Sequence, residues 1–236
     1  PSKQATNRDL RKKEHMTDVL IGFALDESGS MLSVKTDTMN GFNQFIADQR
    51  KEPGEARLTL SLFNTTARTQ YSAELLDNVK ELGTVDNPYA PRGNTALLDA
   101  VGNMITEMEM WLMANNFTGK VVCVIQTDGA ENASNRWHIK HPADPNDSFD
   151  LTNLIQEKQN NGWDFLFLGQ GGSEWLERTF GNVAKGNTFA FAASDAGQTY
   201  HTVSRGLSGL RANTAGGQSM SVAYAAALDN PDETVV

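Results

Sequence analysis

The sequence predicts an α/β domain in which a doubly wound, mainly parallel sheet lies between two layers of helices, with one antiparallel strand at an edge. Apolar runs typical of strands alternate with helical patterns along most of the chain, which favours a parallel sheet covered on both faces. Two runs, residues 19–25 and 121–126, are almost continuously apolar, as strands buried on both faces are. Residues 67–72 follow a strand pattern at 57–63 after an Asn-Thr turn, so we expect them to form the antiparallel edge strand.

The helical segments are identified by apolar residues three and four positions apart. In residues 37–51 these include Phe42 and Phe45, and the segment ends ahead of Pro53 and Gly54. The expected elements, in chain order, are a strand at 19–25, a helix at 37–51, strands at 57–63 and 67–72, a brief helical segment at 75–82, a loop at 86–94, a helix at 96–115, a strand at 121–126, a polar insertion at 130–149, a helix at 151–159, a strand at 163–168, a turn at 169–172 into a helix that ends at 180, a strand at 188–191 and a helix at 195–210.

The composition is that of a globular protein. The 236 residues are 39% hydrophobic and 21% charged, and the net charge of −9 argues against a general nucleic-acid binder, because phosphates would be repelled. Cys123 is the single cysteine, which excludes an intrachain disulfide framework, and no apolar stretch reaches the length of a membrane span. We expect a basic N-terminal arm at residues 1–16, one domain at 17–212 and a C-terminal strap or tail at 213–236. Without a secretory signal, a cytoplasmic location is expected.

Hard oxygen donors appear where the first buried strand ends. Asp26, Ser28 and Ser30 come directly after residues 19–25, two positions apart in a turn. Ligands of open parallel sheets bind just beyond the carboxyl ends of the strands. A carboxylate and two hydroxyls at this spacing can converge on one small, hard cation.

Two later motifs supply oxygen donors of the same kind. Thr95 lies in a Gly-Asn turn before a helix, and the strand at 121–126 runs into Thr127, Asp128 and Gly129. The order Asp-x-Ser-x-Ser, Gly-x-Thr and Thr-Asp-Gly resembles the von Willebrand factor A domain with its metal-ion-dependent adhesion site, over roughly residues 17–210. The residues after Asp128 look similar to a bacterial or phage subgroup of that family.

The resemblance implies a Rossmann-like fold and a Mg²⁺ site, with Mn²⁺ or Ca²⁺ as alternative ions. The implied metal ligands are Asp26, Ser28, Ser30, Thr95 and Asp128. Members of the family leave a coordination position open for an Asp or Glu carboxylate of a partner protein, so the resemblance implies a non-catalytic interaction module. Partners of bacterial members include ATPases of the AAA class and components of larger assemblies. A phage-encoded member would be associated with the virion.

Neighbouring polar residues are candidates for supporting roles. Those that could orient ligands or bound waters are Glu27, Asn94, Asp99 and Thr127. In the insertion, Arg136 and Trp137 are of the types enriched at interface hot spots, which makes them candidates for partner binding. The alternative is that this loop packs on its own domain.

Three other interpretations stay open at this level. The Ser, Thr and Asp side chains could simply cap helices. A metal-dependent hydrolase or phosphotransferase would use the same ion as a Lewis acid, with Glu27, Glu131 or Asp99 as its general base. A structural subunit of a larger assembly, such as a phage particle, would use the metal only to brace its loops.

Overall fold

The middle layer of the molecule is one six-stranded sheet. The computed structural model describes residues 17–140, 142, 144–170, 174–191, 196–212 and 219–229. Within them the strands are β1 (Val19–Asp26), β2 (Ala56–Phe63), β3 (Ala67–Leu75), β4 (Lys120–Thr127), β5 (Asp164–Gln170) and β6 (Thr188–Phe191). Their order is β3-β2-β1-β4-β5-β6, and every pairing is parallel except that of β3 with β2. The predicted doubly wound sheet with an antiparallel edge strand is confirmed.

Helices cover both faces of this sheet. They are α1 (Lys35–Gln49), α2 (Leu97–Asn115), α3 (Leu151–Asn160), α4 (Glu174–Phe180), α5 (Ala196–Ala212) and α6 (Met220–Asp229). One core contains side chains of α1, α5 and α6, and the other contains side chains of α2, α3 and α4. Burying both faces explains why β1 reads as a continuous apolar run, since all of its residues are buried.

The central pair of strands creates the position at which a site can form. From β1 the chain moves to β2 and β3 on one side, and then returns to β4 on the other side of β1. The direction of winding therefore reverses between β1 and β4, and a crevice opens beyond the carboxyl ends of these two strands. Asp26 ends β1, and Asp128 follows β4 directly.

Several local expectations differ from the structure. The segment predicted as helical at 75–82 contains only a 3-10 turn, Leu76–Asn78. A further 3-10 segment, Gly29–Val34, follows β1 and buries Met31 and Val34. In the expected strap or tail, α6 buries Met220, Ala223, Tyr224 and Ala227. The sequence did not predict this helix, because an alanine-rich run lacks the regular spacing of apolar and polar residues that identifies an amphipathic helix.

The predicted arm at residues 1–16 lies outside the described residues. In the part of the chain that is described, no helix is both long and apolar enough to cross a membrane.

Candidate functional site

Four of the five predicted metal ligands form a chain of hydrogen bonds at the carboxyl ends of β1 and β4. Asp26 Oδ1 accepts the Ser28 amide at 2.7 Å, and the Ser28 and Ser30 hydroxyl oxygens lie 3.0 Å apart. The Ser30 hydroxyl donates to Asp128 Oδ1 at 2.6 Å. Ser30 and Asp128, 98 positions apart in sequence, thus meet where the strand order reverses.

Thr95 reaches the same place from the loop before α2. A Cβ atom built on Gly129 would lie 3.6 Å from Thr95 Oγ1 and 3.7 Å from Ser30 Oγ, so both hydroxyls border the space in front of Gly129. The Thr95 amide donates to Asn132 Oδ1 at 2.8 Å, and the Asn132 amide donates to the Thr95 carbonyl at 3.0 Å. Asn132 was missed by sequence reasoning, because no local pattern marks it as a partner of Thr95.

The hydroxyls of this cluster are not helix caps. Ser28 precedes the 3-10 segment Gly29–Val34, but its side chain makes no capping hydrogen bond, and the residue at the corresponding position before α2 is Ala96. The capping interpretation therefore does not describe Ser28 or Thr95.

Burial gives the two carboxylates unusual electrostatics. Asp26 is fully buried, and this burial raises the pKa of its carboxyl group from 3.8 to about 6. Burial also raises the pKa of Asp128 above its ordinary value. Among the described residues, no Lys, Arg or His forms an ion pair with either group. Two desolvated carboxylates without a cationic side chain are an environment that a bound cation would stabilise.

The donor set fits a small divalent ion. Two carboxylates and three hydroxyls are all hard oxygen ligands of the kind that Mg²⁺ prefers. The described residues contain no cluster of three or more His, Cys, Asp or Glu side chains suited to a metal ion.

Of the four residues predicted to orient the ligands, Thr127 lies in contact with one. Its hydroxyl donates to Asp26 Oδ2 at 2.6 Å. Tyr89, which sequence reasoning missed, donates its hydroxyl to the Asp26 backbone carbonyl at 2.7 Å. Asp26 is therefore held at its side chain and at its backbone.

The other three make hydrogen bonds to other partners, and no direct contact of theirs with a proposed ligand side chain is recorded among the described residues. The Glu27 carboxylate pairs with Arg68 and accepts the Ala90 amide. Asp99 accepts backbone amides of the insertion, including that of Trp137 at 2.8 Å. Asn94 has an exposed side chain, and its backbone amide donates to Thr65 Oγ1 at 3.1 Å.

The insertion packs on the domain through Trp137. The indole lies over Gly102 of α2, is 6% exposed, and donates from Nε1 to Asn103 Oδ1 at 3.1 Å. This burial argues against the prediction that Trp137 contacts a partner, because little of the ring remains accessible. Arg136 is exposed, and its guanidinium lies 5.1 Å from the centre of the Phe149 ring.

Gly102→Ala is expected to dislodge Trp137 and destabilise the protein. A Cβ atom there would lie 2.3 Å from the indole ring, so either the ring or α2 must move. We expect a loss of about 1–3 kcal/mol in the free energy of unfolding, despite the higher helix propensity of alanine. Urea denaturation measures it. Gly197→Ala in α5 is the matched control, since no atom lies near that position, and equal effects of the two substitutions would contradict the packing.

Comparisons with known proteins agree with this architecture. The family model described as von Willebrand factor type A domain matches residues 21–205. Proximal thread matrix protein 1 from the mussel byssus aligns with a TM-score of 0.53 at 15% identity, over 80% of this chain and 46% of that one. The PilB minor pilin from Streptococcus sanguinis aligns with a TM-score of 0.56 at 16% identity, over 82% of this chain and 62% of that one.

A third solved structure is the vWF domain of the type V pili tip protein Mfa5 from Porphyromonas gingivalis. It aligns with a TM-score of 0.54 at 9% identity, over 81% of this chain and 95% of that domain. At such low identities these similarities establish the fold alone. The chain spans less than half the length of the mussel byssus chain. No curated protein sequence matches it. Because the family model covers most of its length, the chain belongs to the von Willebrand factor type A domain family.

Proposed function

We propose that this domain is a non-catalytic, Mg²⁺-dependent module for binding other proteins. Asp26, Ser28, Ser30, Thr95 and Asp128 would hold the ion, and a carboxylate of an Asp or Glu on the partner would complete its coordination. The observation that carries this proposal is the convergence of Asp26, Ser28, Ser30 and Asp128 in one hydrogen-bonded cluster at the switch point of the sheet.

The small number of carboxylates in the cluster would leave a bound Mg²⁺ ion able to attract a further anion. Only two carboxylates lie among the five donors, so an ion held there by them and by neutral hydroxyls is not surrounded by excess negative charge. The bound ion would supply an electrophilic centre for a partner's carboxylate. Hydrogen bonds from neighbouring residues hold the proposed ligands in place. Thr127 and Tyr89 donate to Asp26, and Asn132 accepts the Thr95 amide.

The carboxylates that a hydrolase would need are already engaged. Glu27 is paired with Arg68, and Asp99 accepts three backbone amides of the insertion. Glu131 accepts the amides of Ala133 and Ser134 on one oxygen, and that of Leu98 on the other. None of the three is therefore positioned as a free general base, which favours binding over catalysis.

The structural neighbours fit a role in assembly or adhesion. They include a minor pilin, a pilus tip protein and a byssus matrix protein. We infer that the partner is a protein that presents Asp or Glu, such as an assembly component or an AAA-class ATPase, and that it is not a nucleic acid. If the domain instead serves as a structural subunit, the ion would brace its loops, and chelation would leave assembly intact.

Thr95→Val is expected to weaken Mg²⁺ binding, and the partner binding that depends on it, while leaving the fold intact. Valine keeps the shape of threonine and removes one hydroxyl, for which the structure records no hydrogen bond to the protein within the described residues. Calorimetric titration with Mg²⁺ should show at least a tenfold loss of affinity, in line with the loss of a metal contact. The melting temperature in EDTA should change by less than about 2 °C, since the cavity is not altered.

Ser33→Ala is the matched control. Ser33 lies in the same 3-10 segment as Ser30, is exposed, and is not a proposed ligand. It should bind Mg²⁺ like the wild type and should retain the same proteins from a lysate of the source cells. Retention that is equal in Mg²⁺ and in EDTA, or equal between wild type and Thr95→Val, would refute the proposed function.

A further inference from the structure

We propose that Glu27 is a positioning residue that, together with Arg68, sets the separation between the two loops that carry the metal ligands. This inference rests on the proposed metal-dependent function. Glu27 directly follows Asp26, its side chain is 2% exposed, and the recorded donors to its carboxylate are Ala90, Asn64 and Arg68. A buried carboxylate that neither binds the ion nor faces solvent has to be explained by what it holds in place.

Glu27 connects the end of β1 to the loop that leads to Thr95. Its Oε1 accepts the Ala90 amide at 2.6 Å, and its backbone carbonyl accepts the Arg92 amide at 2.9 Å. Gly93, the next residue of this loop, is also joined to the turn that contains Ser28 and Ser30, because the Gly29 amide donates to the Gly93 carbonyl at 3.1 Å. The approach of the Thr95 loop to Asp26 is therefore set through Glu27 at two successive points.

Arg68 and Asn64 tie this arrangement to the edge of the sheet. The Arg68 guanidinium from β3 donates to both oxygens of Glu27 and also to the Pro88 carbonyl, at 3.2 Å. Asn64 Nδ2 donates to Glu27 Oε2 at 3.4 Å, and the Asn64 carbonyl accepts the Ala96 amide at 2.7 Å. Contacts on both sides of Thr95 in sequence thus lead back to Glu27.

Arg68 both neutralises Glu27 and fixes the orientation of its carboxylate. A buried carboxylate next to Asp26 would otherwise add negative charge at the metal-binding edge. The bidentate pair with Arg68 offsets that charge and fixes the plane of the carboxylate at the same time. Metal sites require their ligands to be held within a few tenths of an ångström, and outer contacts of this kind change metal affinity by about tenfold to one hundredfold.

The test compares Mg²⁺ affinity with stability in two matched variants. Glu27→Gln keeps an acceptor for the Ala90 amide and loses the charge that orients Arg68, which is 37% exposed and can be hydrated. Lys158→Met removes another ion-paired buried residue, which joins α3 to Glu109 of α2 away from the proposed ligands. Calorimetry with Mg²⁺ alone gives the affinity, and thermal melting in EDTA gives the stability of each variant.

We expect Glu27→Gln to lose Mg²⁺ affinity by about tenfold or more, whereas Lys158→Met stays within about threefold of wild type. Arg68→Lys, which keeps the charge without the bidentate geometry, should lose less affinity in the same direction, and it serves as the test if Glu27→Gln does not fold. Equal losses in Glu27→Gln and Lys158→Met, or none in Glu27→Gln and Arg68→Lys, would overturn the positioning role alone. A wild type that binds no Mg²⁺ would overturn the proposed function as well.

Discussion

Replacing Asp26 with asparagine is expected to stabilise the metal-free protein at neutral pH and to abolish its response to Mg²⁺. Burial raises the pKa of the Asp26 carboxyl from 3.8 to about 6, so the metal-free protein above that range carries a buried charge that the unfolded chain keeps in water. A shift of this size corresponds to about 3 kcal/mol of stability lost by the wild type. Asparagine carries no charge and avoids this cost.

Asparagine can also preserve the hydrogen bonds around position 26. Its side-chain oxygen can accept the Ser28 amide, as Asp26 Oδ1 does at 2.7 Å. Its side-chain amide would then face the Thr127 hydroxyl, which can turn from Asp26 Oδ2 to the Gly129 carbonyl, 3.0 Å away. The substitution therefore changes the charge far more than the packing.

The difference in stability between Asp26→Asn and wild type should depend on pH. Because the folded-state pKa is raised, the wild type bears no cost below pH 3.8, loses stability as the pH rises to about 6, and bears a constant cost above that value. Urea denaturation in EDTA should show nearly equal stabilities at about pH 4 and an advantage of about 3 kcal/mol for the variant at about pH 7.5. An advantage that does not vary with pH would contradict this explanation.

Addition of Mg²⁺ should favour the wild type alone. An ion present at 100 times its dissociation constant stabilises the folded state by about 2.7 kcal/mol, provided that the unfolded chain does not bind it. Asp37→Asn, at an exposed position in the first turn of α1, is the control and should keep the full response to Mg²⁺. Equal stabilisation of Asp26→Asn and wild type by Mg²⁺ would place the ion elsewhere on the protein.

Phe23→Ala is expected to cause the largest loss of stability that we predict outside the site. The Phe23 ring is fully buried at the centre of β1. Its centroid lies 5.3 Å from that of Phe42, 5.8 Å from Phe45 and 6.0 Å from Tyr200, so it joins the sheet to α1 and α5. Removing such a ring leaves a cavity and typically costs about 3–5 kcal/mol, which urea denaturation in EDTA measures.

Leu32→Ala is the control for this prediction. Leu32 is an apolar residue close in sequence to Ser28 and Ser30, but its side chain is 64% exposed. Its truncation should change the free energy of unfolding by less than about 0.5 kcal/mol. A similar cost for the two substitutions would mean that the aromatic cluster does not hold the helices on the sheet.

The sequence by itself determined the order and type of most elements. Continuous apolar runs marked the two central strands, and the spacing of Phe42 and Phe45 marked α1, because these patterns arise within one element. Asp26, Ser28 and Ser30 were likewise marked as candidate metal ligands by their position at the end of a strand. Such features depend on residues only a few positions apart.

Only the tertiary structure decided which donors each polar side chain meets. Glu27 lies beside Asp26 in sequence, yet it binds Arg68, 41 positions away, and Asp99 accepts amides of the insertion. Trp137 is buried because Gly102 leaves room for its ring on α2. Contacts between distant segments depend on strand order, on register and on the space left by facing residues. A local sequence pattern predicts none of these.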